Sequence, residues 1–168
     1  MLTVDLARLG RDGTASVEAD VPADAELWED LGFRWAGPVS FALVASNSGS
    51  GEIVVRGKVS GALAHECRRC LKPLERNFEF VPTMVFVDGD SDSDRESGEY
   101  VFDSSSVLDL SEAVREEVVL AVDPYVVCDA KCRGLCSGCG VDLNFGECTC
   151  EGTEIDPRWA ALRSLNEE

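Results

Sequence analysis

The sequence predicts an α+β fold: an antiparallel β-meander with a few short helices, followed by a cysteine-rich segment. Two observations support this fold class. In the first half of the chain, apolar and polar residues alternate, which is typical of strands that bury one face. Further on, apolar residues recur at helical spacing, and six of the eight cysteines lie within 128–150. We therefore divide the 168 residues into an N-terminal segment without a clear pattern (1–37), a core (38–127) and a cysteine-rich segment (128–168).

Three runs of alternating residues, within 39–45, 53–63 and 78–86, predict the strands of the meander. In the third run, Pro82 weakens the strand or places it at a sheet edge, because proline has no N–H to donate to a neighbouring strand. The alternation puts the apolar side chains of each run on one face. The residues expected on that face are Val39, Phe41, Leu43, Ala45, Ile53, Val55, Val59, Leu63, Phe78, Phe80, Met84 and Phe86.

A strongly acidic stretch, residues 88–99, separates the strands from the helical region. So many like charges cannot pack into a core, which predicts a solvated loop or linker. The aspartate spacing resembles a calcium-binding loop, but Ser93 occupies the position where that loop needs glycine, and the flanks are strand-like. We therefore favour a linker over a calcium site.

Two helices are expected after the acidic stretch. Asp109 and Glu112 match a capping box and predict a helix over about 110–122, which ends before Pro124. Residues 156–157 are an aspartate followed by proline, which is typical of the start of a short last helix. Their apolar faces are expected to comprise Leu110, Ala113, Val114, Leu120 and Ala121 in the first helix and Trp159, Leu162 and Leu165 in the second.

Composition excludes several function classes. The chain has 15 basic and 32 acidic residues, a net charge of −17, which argues against a protein that coats nucleic acid. It lacks a long apolar run and a signal-peptide pattern, so we expect a cytoplasmic protein that does not meet a membrane and whose thiols stay reduced. A single histidine, His65, leaves no convincing Ser/His or Cys/His nucleophile, so we expect no enzymatic activity and no small-molecule substrate.

The eight cysteines are the clearest chemical signal. Thiolates in Cys-x-x-Cys turns are the ligands that zinc prefers, at tetrahedral angles. Eight thiols supply two closed four-cysteine sites, which leaves no open position for catalysis. We therefore expect two zinc ions that staple the fold, the second of them in a C-terminal zinc knuckle. Site one comprises Cys67, Cys70, Cys128 and Cys132, and site two comprises Cys136, Cys139, Cys148 and Cys150.

Other arrangements of the cysteines remain open. Residues 128–139 can form one site, which leaves the pairs 67/70 and 148/150 to form the other. We prefer the first division because a local set of ligands costs less loop-closure entropy. The spacing within 128–139 also resembles iron–sulfur motifs, and a disulfide framework is a further alternative that the missing signal peptide disfavours.

One cluster of basic residues lies around the first cysteine pair: Arg68, Arg69, Lys72 and Arg76. Against the acidic background it is the obvious place to contact RNA phosphate. The alternative is charge compensation, because four thiolates around one zinc ion leave a formal charge of about −2.

Several sequence strings occur in a characteristic order. They are Cys67-Arg-Arg-Cys70-Leu, the helical region and Pro124, then Cys128-x3-Cys132-Arg-Gly-Leu-Cys136-x-x-Cys139-Gly-x-Asp-Leu-Asn144, Cys148-x-Cys150 and Asp156-Pro157-Arg158. This order resembles the YceD family, the large ribosomal RNA subunit accumulation proteins of bacteria and plastids, over about residues 38–165.

The resemblance implies a non-enzymatic factor in ribosome biogenesis that supports accumulation of 23S rRNA and large-subunit assembly. It implies as partner either rRNA or a basic large-subunit ribosomal protein. It also implies that site one is common in the family, whereas site two is an addition in chains like this one. The competing functions are a thiol/zinc redox sensor, which needs an exposed reactive cysteine, and a generic zinc-stapled protein-interaction adaptor.

Overall fold

The computed structural model describes residues 1–49, 51–89, 99–102, 106–150 and 158. They form two compact units by contact: Met1–His65 with Leu74–Pro124, and Glu66–Pro73 with Tyr125–Glu168. The described part is α+β, as predicted. Its elements are β1 (Thr3–Asp5), α1 (Leu6–Asp12), β2 (Thr14–Val21), a short 3-10 helix (Glu26–Trp28), β3 (Val39–Asn47), β4 (Ile53–Glu66), β5 (Pro73–Phe80), β6 (Thr83–Asp88), β7 (Glu99–Phe102), β8 (Val107–Asp109) and α2 (Ser111–Ala121).

The main sheet has six strands and is mostly antiparallel. Its order is β2-β3-β4-β6-β7, and β5 also pairs with β4. The pairs β2–β3, β3–β4 and β4–β6 are antiparallel, whereas β6 and β7 run parallel. The predicted meander is therefore confirmed for β3, β4 and β6, while the parallel pair makes the sheet mixed rather than purely antiparallel.

The alternation predicted for β3 and β4 is confirmed by burial. Val39, Leu43, Val55 and Leu63 are each at most 2% exposed, and the residues of opposite parity on both strands are half-buried or exposed. Gly57 interrupts the apolar parity of β4 for a steric reason. A Cβ at this position would collide with the backbone of β3 at the carbonyl of Ala42, so no larger residue fits without displacing the strand.

The third predicted run is two strands rather than one. β5 ends at Phe80 and β6 begins at Thr83, with Pro82 in the break. Met84 and Phe86 are buried in the core, whereas Phe78 and Phe80 are half-buried. Proline cannot donate to a neighbouring strand, so it separates two strands here instead of lying within one.

The predicted central helix is confirmed, but its start and its buried face differ from the prediction. The N-cap is Leu110, and Asp109 is the last residue of β8, where its Oδ1 accepts from the Ser111 N–H at 2.9 Å. The predicted capping box is therefore wrong. Val118 is buried, whereas Leu120 is 80% exposed, so placing Leu120 on the buried face was also wrong. Ala121 is exposed as well.

The N-terminal residues contribute to the core of the first unit, although their sequence shows no clear period. β1 pairs antiparallel with β8, and the Leu110 N–H donates to the Leu2 carbonyl at 2.8 Å. Leu2 and Val4 are buried by this pairing. Trp28 and Trp35 pack with their ring centroids 4.7 Å apart.

Two predictions fall wholly or largely outside the described residues. They are the acidic loop 88–99, of which 90–98 are not described, and the last helix that begins near residue 156. Within the described chain, no helix has the length and apolarity needed to cross a bilayer.

Candidate metal centres

All eight cysteines lie in the second unit, and the structure gathers their sulfur atoms into two groups of four. Within each group the Sγ atoms all lie within 4.8 Å of one another. The structure brings together the same two sets that the sequence analysis grouped, and not the alternative arrangement. His65 belongs to neither group. The groups are Cys67, Cys70, Cys128 and Cys132 (site one), and Cys136, Cys139, Cys148 and Cys150 (site two).

The first knuckle, residues 67–70, is held by backbone hydrogen bonds that fold the chain around one sulfur. The Arg69 N–H donates to Cys67 Sγ at 3.4 Å. The Leu71 N–H donates to the Cys67 carbonyl, and the Cys67 N–H donates to the Lys72 carbonyl, each at 2.9 Å. Leu71 closes the turn with φ 59°, a left-handed conformation that is uncommon for leucine.

The second knuckle, residues 136–139, repeats this hydrogen-bond pattern. The Gly138 N–H donates to Cys136 Sγ at 3.3 Å. The Gly140 N–H donates to the Cys136 carbonyl, and the Cys136 N–H donates to the Val141 carbonyl, each at 2.9 Å. Gly140, with φ 74°, occupies the position that Leu71 occupies in the first knuckle. The chain therefore builds the same turn twice, once for each site.

The remaining ligands of site one come from a turn that Asp129 organises. Its Oδ1 accepts from the Lys131 N–H at 2.7 Å, and its carbonyl accepts from the Cys132 N–H at 3.0 Å. The Cys128 N–H donates to Cys67 Sγ at 3.3 Å. This turn brings Cys128 and Cys132 to the first knuckle.

The sulfur separations fit a single tetrahedral zinc ion in each group. Zinc–thiolate bonds of about 2.3 Å at tetrahedral angles put the sulfurs about 3.8 Å apart, whereas a disulfide bond is about 2.05 Å long. All eight cysteines are free thiols. The separations are 3.9 Å for Cys67–Cys132, 3.6 Å for Cys70–Cys128, 3.2 Å for Cys136–Cys148 and 3.6 Å for Cys139–Cys148.

Without a cation, the thiols of site one do not ionise equally. Burial raises the pKa of Cys67, but backbone N–H donors outweigh it and leave the pKa lowered to about 6. Those donors belong to Cys128, Cys70 and Arg69. Hydrogen bonding to Cys132, followed by burial, raises the pKa of Cys128 to about 12. The first thiolate therefore forms readily and a second is disfavoured, so a divalent cation among the four sulfurs would favour the ionised form of all four thiols.

In site two, as in site one, one thiol has a lowered pKa and another has a raised pKa. The backbone N–H of Cys139 is the main cause that lowers the pKa of Cys136 to about 6, with a further contribution from the Cys148 thiol. Hydrogen bonding to the Cys148 side chain is the main cause that raises the pKa of Cys150 to about 12. The sites differ in exposure: three ligands of site one are buried, whereas Cys139 and Cys150 of site two are exposed.

The four basic residues predicted to contact RNA have different surroundings. The Arg69 guanidinium donates to the carbonyls of Cys132 at 2.9 Å and Ala130 at 3.2 Å, so it braces the turn of site one. The Arg68 guanidinium lies over the Tyr125 ring, 5.9 Å from its centroid. Lys72 is exposed in the second unit, and Arg76 is exposed on β5 in the first.

The contacts that connect these turns were not predicted from the sequence, although Gly134 was expected to lie in a turn. The Leu135 N–H donates to the Arg69 carbonyl at 2.9 Å, and Gly134 lies against that carbonyl with φ 75°. A Cβ on Gly134 would lie 2.9 Å from the Arg69 oxygen. Asn144 contacts both a sulfur and the backbone. Its only sequence signal is its place two residues after Asp142, which is typical of an Asx turn.

A model of one protein family matches more than half of the chain. The family model of the large ribosomal RNA subunit accumulation protein YceD matches residues 55–166. An uncharacterized protein of Mycobacterium tuberculosis is 33% identical over 165 residues, which cover 96% of this chain and 79% of the relative. One of Mycobacterium leprae is 26% identical over 168 residues, covering 96% and 76%.

A plant relative shares a shorter region. The chloroplastic large ribosomal RNA subunit accumulation protein YCED homolog 1 of Arabidopsis thaliana is 34% identical over 61 residues, which cover 36% of this chain and 19% of that protein. No solved structure matches the chain. The extent of the family match and the similarity to the mycobacterial proteins show that this chain belongs to the YceD family.

Proposed function

We propose that this protein is a zinc-binding, non-enzymatic, cytoplasmic factor in ribosome biogenesis. In this role it supports accumulation of 23S rRNA and assembly of the large subunit. The names of the family and of its plant relatives support the process. The two groups of four thiols, each with the sulfur spacing of a single tetrahedral ion, support zinc.

Zinc fits the donor set better than an iron–sulfur cluster does. Four sulfurs in tetrahedral array favour zinc or iron. In an iron–sulfur cluster the cysteines bind different irons, whereas all sulfurs of each group here lie within 4.8 Å of one another. Zinc would neutralise part of the thiolate charge and hold the two knuckles and their partner turns. With four protein ligands per ion, no coordination position stays open for a substrate, which supports a structural rather than a catalytic metal.

The charge distribution indicates how an acidic chain can still meet RNA. The first unit has 8 basic and 23 acidic residues, a net charge of −15, whereas the second has 7 and 9, a net charge of −2. We propose that rRNA, if it is the direct partner, contacts Arg68 and Lys72 of the second unit. Arg69 serves mainly to brace site one, and Arg76, which belongs to the first unit, is left out of this contact. A basic ribosomal protein would instead contact the acidic first unit.

Depletion of the protein tests the proposed process. We expect a selective fall in large-subunit rRNA relative to small-subunit rRNA, and a loss of large-subunit particles in a density gradient. Wild-type protein and Ser137→Ala, which keeps all eight thiols, should restore the ratio, whereas Cys70→Ser should not. An unchanged rRNA ratio on depletion would refute the proposed role.

Salt-dependent binding distinguishes the two partners. If rRNA is bound directly, the logarithm of its binding constant should fall steeply with that of salt concentration, and Arg68→Ala with Lys72→Ala should reduce that slope. Arg56→Ala, at an exposed position on β4, is the control. Absence of RNA binding at low salt, with one basic ribosomal protein recovered in a pull-down, would favour the protein partner.

A redox sensor is the second candidate function, because two ligands of site two are exposed. A sensor should release zinc from site two in dilute peroxide well before the chain unfolds. Zinc release that occurs only together with unfolding would exclude this function.

A further inference from the structure

The loop between two ligands of site two reaches a sulfur of site one. Asn144 lies between Cys139 and Cys148 in the sequence. Its Nδ2 donates a hydrogen bond to Cys132 Sγ at 3.5 Å. Site one is therefore contacted by a side chain whose chain segment is anchored on both sides by ligands of site two.

Further hydrogen bonds fix the orientation of the Asn144 amide. The Arg133 N–H donates to its Oδ1 at 2.8 Å, so the oxygen is used as an acceptor and the nitrogen faces Cys132. Asp142 Oδ1 accepts from Asn144 Nδ2 at 2.6 Å and from its backbone N–H at 2.9 Å. Hydrogen bonds therefore fix both the oxygen and the nitrogen of the amide, and they direct its second N–H at the sulfur of Cys132.

The backbone connects this amide directly to a ligand of site two. The Cys136 N–H donates to the Val141 carbonyl, and the Leu143 N–H donates to the Gly134 carbonyl, both at 2.9 Å. The segments 134–136 and 141–143 therefore form a small hairpin. Asn144 is the next residue after it, so the hairpin joins Cys136 of site two to the residue whose amide contacts site one.

An N–H group that donates to a metal-bound thiolate has a known effect. Four thiolates around a divalent zinc ion leave a net formal charge of about −2, and a donor to one sulfur reduces its charge and fixes its direction. Loss of such a supporting contact typically weakens metal binding by about 10- to 100-fold.

We propose that Asn144 is a positioning residue that couples the two sites. Metal binding at site two holds the 140–146 loop and keeps the Asn144 amide on Cys132, which tightens metal binding at site one and thereby slows release from it. The proposal rests on the proposed zinc binding. Because coupling between binding sites is reciprocal, metal at site one also strengthens binding at site two.

The test measures zinc release from the full-length two-zinc protein into a chromogenic chelator. Cys148→Ser disables site two, so the remaining release phase reports site one. In a chain with Asn144, we expect Cys148→Ser to speed release from site one by about tenfold. In the Asn144→Ala background, release from site one should already be fast, and Cys148→Ser should speed it no further.

Two further variants and a spectroscopic signal complete the test. Asn144→Asp keeps the acceptor oxygen but lacks the N–H donor, so it should behave like Asn144→Ala and replaces it if that variant does not fold. Phe145→Ala, at an 86% exposed neighbour, should release zinc at the wild-type rate. With cadmium-113 in place of zinc, Asn144→Ala should shift the NMR resonance of site one, whereas Phe145→Ala should not.

The outcomes separate this proposal from the proposed function. A protein that takes up no zinc at either site refutes zinc binding itself. If the protein does bind two zinc ions but Asn144→Ala leaves zinc release from site one unchanged, the coupling is refuted and zinc binding is not. The coupling is equally refuted if Cys148→Ser has its full effect in the Asn144→Ala background.

Discussion

Gly134 shows how a single residue limits the packing of the first knuckle against the chain that leads into the second. Its φ of 75° and the nearby Arg69 oxygen both disfavour a side chain, although for different reasons. Gly140 has almost the same φ, 74°, but a Cβ added there would meet no atom within 4 Å. A side chain at Gly140 would therefore meet backbone strain alone, whereas one at Gly134 would meet the same strain and a steric collision.

We expect Gly134→Ala to destabilise the second unit by about 2 kcal/mol or more. Gly140→Ala should cost only about 1 kcal/mol, the usual penalty for a left-handed alanine. Denaturant unfolding followed by amide hydrogen exchange in 128–148 measures both. Equal losses in the two variants would contradict a specific contact between Gly134 and Arg69.

Leu71 and Gly140 occupy equivalent left-handed positions, but only the glycine is recognisable as such from the sequence. Glycine after the second cysteine of a knuckle is a recognisable signal for a left-handed turn. Leucine at the same place in the first knuckle gives no such signal, and only the structure shows that the two turns are alike. The role of Asn144 was not predictable either, because its hydrogen bond to Cys132 joins segments 12 residues apart.

At the scale of elements, α2 contains a carboxyl group, that of Glu117, whose charged form is destabilised by burial. Burial is the main cause that raises the pKa of Glu117, and the neighbouring charge of Glu116 raises it further. A raised pKa in the folded state means that the folded protein binds the proton more tightly than the unfolded chain. The contribution of Glu117 to the free energy of unfolding is thus greatest at low pH. It is lost as the pH rises from the pKa of the unfolded chain through the higher pKa of the folded protein.

Glu117→Gln should therefore raise the free energy of unfolding at pH 7, by up to about 0.5 kcal/mol. Below about pH 3 both folded and unfolded carboxyls are almost fully protonated, so the difference should vanish. Glu112→Gln is the control, because a negative charge in the first turn of a helix is favourable and its loss should not stabilise. A destabilised Glu117→Gln at pH 7 would refute this account of α2.

Elements were predictable from sequence where one face of a long element is buried. β3 and β4 were found because their apolar alternation persists over 9 and 14 residues. β1 and β8 have 3 residues each, too few to show a period, and they are recognisable only as partners of each other. The prediction for α2 included Leu120 on the buried face and omitted Val118. Val118 lies four residues after the buried Val114 and therefore on the same face, whereas Leu120 lies six residues after it and points elsewhere.

At the scale of the whole molecule, the two units are stabilised by different means. Every buried residue of the hydrophobic core cluster belongs to the first unit. In the described part of the second unit, the buried apolar residues are three cysteines of site one. A unit with so little apolar burial needs a covalent or metal constraint to hold its shape.

We therefore expect removal of the proposed zinc ions by a chelator to unfold the second unit while leaving the first unit folded. Amide hydrogen exchange should become fast in 132–140, where backbone hydrogen bonds hold the knuckle and its hairpin. Exchange in β3 and β4 should stay slow, and zinc added back should restore protection. Uniform loss of protection in both units would show that they unfold as one.

The sequence predicted this division in part. Cysteine count and spacing favoured this grouping of the ligands over the alternative that stayed open, because a local set of four costs less loop-closure entropy. The segregation of charge between the units was not predicted, because residues 66–73 lie within the sequence of the first unit but belong to the second. Their three cations are thereby removed from the acidic unit that surrounds them in sequence.

The insertion of the first knuckle into the sequence of the other unit has a consequence during synthesis. Site two has all its ligands within a short stretch, so it is complete soon after it leaves the ribosome. Cys67 and Cys70 emerge much earlier, and 58 positions separate Cys70 from Cys128. At about 5 to 20 residues per second, this pair waits roughly 3 to 12 seconds for its partners. Throughout that interval the nascent chain presents two unprotected thiols to oxidants and to competing soft metal ions.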